Sequence, residues 1–181
     1  ADYFRADYLN SENKIKKHKW DYLGELSKQI INFGAYSLTN QITYLEEGVP
    51  FLNIGDIKDN DIDVENAKKI DEKLSREVLK KSLCKESQVL LTIAGTIGNT
   101  AVAYNLPKNT NSNQAIANIT LKDLSPFYLS VYLNCNFGKQ QTSRLTISSV
   151  QPNLLLTQVK KIKVFVPSVN LLKIFINKHI K

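Results

Sequence analysis

A chain of 181 residues, 43% hydrophobic and 23% charged, is sized for one domain or at most two small ones and has the composition of an ordinary globular protein. No apolar run approaches the ~18 residues of a membrane span, no signal peptide opens the chain, and Cys84 and Cys135 stand alone without the spacing of a disulfide framework or a zinc site. The net charge of +7 is uneven: residues 1–90 hold 14 Lys/Arg and 16 Asp/Glu, residues 91–181 hold 10 and 1, so the second half carries a positive potential suited to a polyanion such as nucleic acid.

Ala1–Lys19 is polar, with the basic run Lys14–Lys19, and reads as an arm or linker. Trp20–Ile31 places Trp20, Leu23, Leu26, Ile30 and Ile31 at helical spacing, which predicts a helix with one buried face. Asn32–Asn40 is a loop by composition. Gly48–Ile57 (GVPFLNIGDI) is a short buried strand opened by Gly and Pro, and Asp59–Asp63 is an acidic turn. Ser75 is positioned to N-cap a helix running through Leu83.

Gln88–Tyr104 (QVLLTIAGTIGNTAVAY) carries two β-branched apolar runs around a small Gly-containing connection, Ala94–Asn99, and predicts a hairpin. Ile116–Leu121 is a further strand. Ser125-Pro126 opens a helix expected to stop near Phe137, where Gly138 would end it. Gln140–Val150 is polar and holds Arg144, and Lys160–Pro167 alternates like a half-exposed strand. Val169–Lys181 has an apolar stripe at helical spacing that wants a partner. Strands and helices alternate without βαβ regularity, so the expected class is α+β. The expected division is an arm at 1–19, one globular domain at 20–167 and the start of a spacer helix at 168–181. With no Met and an opening Ala1, the chain reads as a domain cut from a longer protein or as a processed chain, and its cysteine usage makes a cytoplasmic location the expectation.

Motifs for chemistry are sparse. His18 and His179 sit among lysines without a positioned partner. Asp7 with Glu12-Asn13-Lys14 gives half of a nuclease carboxylate motif, which keeps a small metal-dependent nuclease open as an alternative. GxSxG, Walker A, GxGxxG and the Asn/Asp-Pro-Pro-aromatic sequence that holds an adenine for methylation are all missing from the sequence. The expectation is a non-catalytic segment with neither metal nor cofactor of its own. Gly95-Thr96-Ile97-Gly98 fits the GxxG backbone clamp of KH domains, but its flanks are strands where that clamp needs helices. A Gly-tipped hairpin also suits a protein- or glycan-binding module, a third open class.

Four segments in order, GVPFLNIGDI (48–57), LLTIAGTIGNTAV (90–102), NSNQAIANI (111–119) and SSVQPNLLLTQVKKIKVFVP (148–167), resemble the target recognition domain of type I restriction–modification specificity subunits. The same domain occurs fused to some type II methyltransferase–endonucleases, and ADYFRADYLN is similar to the junction before it in such fusions. Members of that family typically carry two such domains separated by long helices, so one set of motifs is similar to a half subunit or to the recognition tail of a fused enzyme. The resemblance implies sequence-specific recognition of double-stranded DNA, with S-adenosylmethionine bound by a partner methyltransferase and an endonuclease subunit or module nearby. It also implies that Val169–Lys181 joins a helical spacer or pairs between copies.

Such domains place polar loops in the major groove. The candidate DNA-contacting residues are Tyr36, Ser37, Thr39 and Asn40; Thr96 and Asn99 at the hairpin; Asn113 and Gln114; and Ser143, Arg144, Ser148, Gln151 and Lys160. Lys108, Lys139 and Lys161 are candidates for phosphate contacts. Arg144 stands out as the only Arg of the basic half, suited to bidentate recognition of guanine. Asn113 and Gln114 could instead satisfy turn backbone groups, Gln151 could cap a following helix, and Lys160 and Lys161 could be a solvated strand edge. The hairpin is expected chiefly to hold the recognition loops in place.

Overall fold

Three consecutive apolar residues in a strand have side chains on both faces, so both faces must be covered. In the computed structural model, which describes residues 6–33, 42–146 and 152–168, this is the situation of strand β5 (Val89–Thr92). Val89 and Leu91 enter one core with Ile119, Leu129 and Leu133, while Leu90 enters another with Leu52, Ala101 and Ile116. β5 lies within an antiparallel sheet of order β2-β8-β5-β6, where β2 is Ser27–Ile31, β6 is Thr100–Val102 and β8 is Ile116–Leu121. The β5–β6 pairing sets Val89 opposite Val102 and Leu91 opposite Thr100, which is the expected hairpin.

A second sheet, β4-β3-β7 (Lys68–Ile70, Val49–Leu52 and Asn111–Ser112), contributes Phe51 and Ile70 to a third cluster with Phe33 and Leu79. The third sheet pairs β1 (Trp20–Tyr22) with β9 (Lys163–Phe165), Trp20 opposite Phe165. Helices α1 (Ala6–Lys16), α2 (Leu23–Leu26), α3 (Pro126–Asn134), α4 (Asn136–Leu145) and α5 (Leu156–Val159) complete an α+β fold. No helix among the described residues is long and apolar enough to cross a membrane.

Ser125 caps α3 as its sequence requires, its Oγ accepting from the Tyr128 amide at 3.4 Å with Pro126 in the first turn. At the other end, the Asn134 side chain pairs with the edge of β6. It accepts from the Thr100 amide at 3.0 Å and donates to the Thr100 carbonyl at 2.8 Å. A short edge strand blocked in this way cannot recruit another strand there.

Three expected elements are corrected. Trp20–Ile31 is β1, a single helical turn and β2 rather than one helix. Its apolar spacing fits a helix, but both ends find backbone partners, β9 on one side and β8 on the other, and tertiary pairing overrides local periodicity. Ser75 does not cap a helix to Leu83. Asp71 Oδ1 accepts from the Leu74 amide at 2.8 Å, a short π-helical turn spans Leu74–Val78, and buried Ser75 donates to the Asn109 carbonyl at 2.9 Å. Gly138 does not end a helix either. α3 breaks at Cys135, which is extended, and α4 runs on through Gly138. The segment read as a polar arm contains α1. The expected spacer helix at 168–181 falls almost wholly outside the described residues.

The reason for Gly138 is contact. A Cβ there would lie 2.4 Å from the Leu133 carbonyl oxygen and 2.5 Å from that of Tyr132, both main-chain atoms that cannot swing away. Helix propensity alone favours Gly138→Ala by about 1 kcal/mol. The clash reverses the sign, so Gly138→Ala is expected to destabilise by about 2 kcal/mol or more in urea unfolding. Gly55→Ala, where a Cβ meets nothing within 4 Å, is the control and should stay within about 0.5 kcal/mol.

Candidate nucleic-acid interface

The connection between β5 and β6 sits against the rest of the molecule. Gly95 and Gly98 have φ of +69° and +95°, values that favour glycine. A Cβ on Gly95 would lie 2.6 Å from Ile54 Cδ1, and one on Gly98 would lie 2.8 Å from Thr142 Oγ1. Three other segments tie into this turn. The Asn99 side chain donates to the Ile57 carbonyl at 3.3 Å. Ile93 accepts from the Leu154 amide and donates to the Ala115 carbonyl, both at 2.8 Å, and Ala94 bridges Asn153. Asn113 donates through its amide to the Leu52 carbonyl at 2.9 Å and through its side chain to Asn53 Oδ1 at 3.1 Å. Segments 48–57, 90–102, 111–119 and 152–167, scattered in sequence, therefore share one hydrogen-bonded framework.

This framework places the candidate residues in different roles. Thr96 is exposed at the turn. The Asn99 backbone and side chain are both bonded inside the fold, the amide to Thr92 Oγ1 at 3.0 Å. Asn113 Oδ1 accepts from the Ala115 amide at 3.0 Å, so its side chain is engaged at both ends. Gln114 Oε1 is buried with no hydrogen-bond partner, and the Gln114 carbonyl accepts from Asn32 Nδ2 at 3.0 Å. Tyr36, Ser37, Thr39, Asn40, Ser148 and Gln151 lie outside the described residues.

Helix α4 connects the framework to a cleft. Thr142 packs on Gly98, and the next residues, Ser143 and Arg144, turn toward α1. The cleft has a volume of about 620 Å³ and is lined by α1, α4 and the strand β9 region, including Tyr8, Glu12, Tyr22, Gln141, Arg144, Lys160, Lys161 and Lys163. Ser143 Oγ lies 3.1 Å from the Tyr8 hydroxyl. Glu12 gathers three cations: Lys163, Arg144 at 2.5 Å and Lys16 at 3.1 Å. The Lys163 ammonium, with help from Arg144 and Lys16, holds the Glu12 carboxyl near pKa 2 against the opposing effect of burial. Lys160 and Lys161 are exposed on the rim, so the cleft keeps an excess of positive charge. Lys139, in contrast, is committed to Asp59 at 2.9 Å, and Lys108 is exposed.

Sequence reasoning did not find Glu12, Tyr8, Gln141 or Lys163 as cleft residues. The separation of 132 positions between Glu12 and Arg144 leaves no local signature. The available signal was the charge imbalance, because a half with one acid must draw counter-ions from the other half. Among the described residues no group of three His, Cys, Asp or Glu side chains comes together to hold a metal. Glu12, the carboxylate of the nuclease alternative, is surrounded by cations, an arrangement that opposes metal binding.

The family model for the type I restriction modification DNA specificity domain matches residues 17–171. Among solved structures, a chain from a study of complex assembly and conformational transition of the type I R-M system is similar at a TM-score of 0.61 and 15% identity, covering 95% of this chain and 44% of that one. The HsdS subunit from Thermoanaerobacter tengcongensis is similar at 0.58 and 16%, covering 95% and 43%. The type I restriction-modification S subunit from M. genitalium is similar at 0.56 and 14%, covering 88% and 37%. At these identities the likeness is one of fold, and the chain spans less than half the length of each structure. No curated protein matches.

The Glu12 cluster makes stability depend on pH. A carboxyl held near 2 in the fold and near its ordinary 4.5 when unfolded contributes stability that is complete above about 4.5 and disappears as pH falls toward 2. Urea unfolding should find Glu12→Gln less stable than the parent by about 2 kcal/mol at pH 7, a value discounted for partial exposure. The two should converge near pH 2. A difference that persists unchanged at pH 2 would show that charge pairing is not its source.

Proposed function

The chain belongs to the type I restriction modification DNA specificity domain family, and from that premise we propose that it recognises a short sequence in double-stranded DNA and directs a methyltransferase to it. The observation that carries the reading is the shared framework of the four segments around the β5–β6 turn. A rigid sheet that holds several loop bases together is what base readout in a groove requires, since each base pair shows its pattern only to groups fixed within about half an ångström.

The roles divide by chemistry. Lys160 and Lys161, exposed on the cleft rim, supply phosphate contacts and set the register on the duplex. Thr96, exposed at the turn, and Ser143 near the end of α4 supply further polar contacts, and Arg144 would present its guanidinium to a base edge or phosphate from the end of α4. Asn99 and Asn113 serve first as braces of the framework. Tyr36, Ser37, Thr39, Asn40, Gln114, Ser148 and Gln151 remain assigned to the recognition surface from the sequence. The methyl transfer, the S-adenosylmethionine and the extrusion of the target base belong to the partner methyltransferase, with cleavage in an endonuclease subunit or fused module. On this reading the protein works in the cytoplasm, and Val169–Lys181 serves spacer contacts or self-association.

Selection from a randomised duplex library should enrich one short sequence, and equal retention of scrambled duplexes would remove sequence recognition. Binding should weaken with salt. The Lys160→Gln/Lys161→Gln double variant should reduce the slope of log K against log salt by about 2 and weaken all duplexes alike.

A further inference from the structure

Helix α1 is held to the domain chiefly by polar contacts at a cationic site. It lies before the stretch matched by the family model, which begins at residue 17. Its buried apolar anchor is Ile15. Its polar ties include Ser11 to Gln140, Tyr8 to Ser143, and Glu12 to Arg144 and Lys163, while Lys16 of the same helix adds a third cation to the Glu12 carboxylate. The Glu12 carboxylate divides its oxygens, Oε2 toward Arg144 and Oε1 toward Lys163 and Lys16. Two oxygens held between a guanidinium and ammonium groups reproduce how a phosphate is gripped. Among the described residues the one other carboxylate lining the cleft, that of Glu25, is exposed, while Lys160 and Lys161 add two more cations to the same rim.

We propose that this cleft is a phosphate-binding site and that Glu12 is its built-in occupant, so that α1 competes with a phosphate group for Arg144 and Lys163. A phosphate brings more charge and a third oxygen to the seat and draws the cations away from Glu12. Release of the carboxylate removes the ion pairs that tie α1 to Arg144 and Lys163, so phosphate binding and α1 docking oppose each other. By linkage the opposition is reciprocal: whatever fixes α1 weakens phosphate binding by the same factor. The duplex arm of the test rests on the DNA reading; the phosphate site does not.

A single tryptophan makes the site observable. Trp20 is the only one in the chain, and the Lys163 ammonium lies 5.4 Å from its ring centre. Inorganic pyrophosphate and a duplex of random sequence are titrated separately against the parent chain, Glu12→Gln and Ser11→Ala, with Trp20 emission as the readout. The parent should respond to both ligands. Glu12→Gln should bind pyrophosphate about tenfold more tightly, the scale of removing one adjacent like charge. Ser11→Ala loosens α1 without changing charge and should gain about twofold; it decides the matter if Glu12→Gln does not fold. A response to pyrophosphate alone supports a site for a free phosphorylated ligand and counts against the duplex reading. A response to duplex alone assigns the seat to the DNA backbone. No response to either ligand, or affinities in both variants no higher than the parent's, overturns the proposal.

Discussion

The β5–β6 turn must admit Ile54 from one side and Thr142 from another, and it has room for both only because two of its residues carry no side chain. Much of the rest follows from that approach. Ile54 belongs to the segment after β3, so the second sheet is drawn against the first. Thr142 belongs to α4, so the helix bearing Ser143 and Arg144 is fixed relative to the hairpin. With the turn closed, the main-chain groups of Ile93 and Ala94 are left to pair with 115 and 153–154, and the remaining motif segments are seated. Buried polar groups placed this way reward one arrangement and penalise its neighbours, because a slip of one residue leaves donors unpaired.

The basic half of the chain has a comparable constraint. Its cations cannot be neutralised by its single acid, Asp123, so charge balance is long-range. Lys139 finds Asp59, and Arg144 and Lys163 find Glu12. These pairs fasten the first half of the sequence to the second. The unpaired surplus at Lys160 and Lys161 remains on one rim.

The legible parts of the fold were those whose cause is local. The hairpin was written in two β-branched runs and a small turn, and the α3 start in Ser125-Pro126. The motif order carried the family assignment across most of the chain. Trp20–Ile31 misled because Trp20, Leu23, Leu26 and Ile30 keep helical spacing while their backbone partners lie some 90 to 145 positions away. Gly138 misled because glycine marks both chain reversal and close approach, and only the neighbouring Leu133 carbonyl distinguishes them. In the candidate site, Arg144 stands out in the sequence as the only Arg of the basic half. Its companion Glu12 was read as part of a different motif, since nothing within α1 discloses what α1 touches. For Asn113 the sequence leaves base contact and turn bracing both open, because an amide that reads a base and one that satisfies a turn look alike in sequence; in the fold the side chains of Asn99 and Asn113 are bonded as braces.

The pairing of β1 with β9 sets Trp20 opposite Phe165, and the Val166 amide donates to the Lys19 carbonyl at 2.8 Å. The chain therefore enters and leaves this unit through one two-stranded gate. A unit with such a gate can be lifted out of a polypeptide and replaced by another of the same gate without moving what lies on either side. The cores and loops between the gateposts are then free to diverge in sequence while the two ends of the unit stay side by side. Changes between the gateposts and changes beyond them become separable, and new combinations can arise by exchange in one step instead of by accumulated substitution.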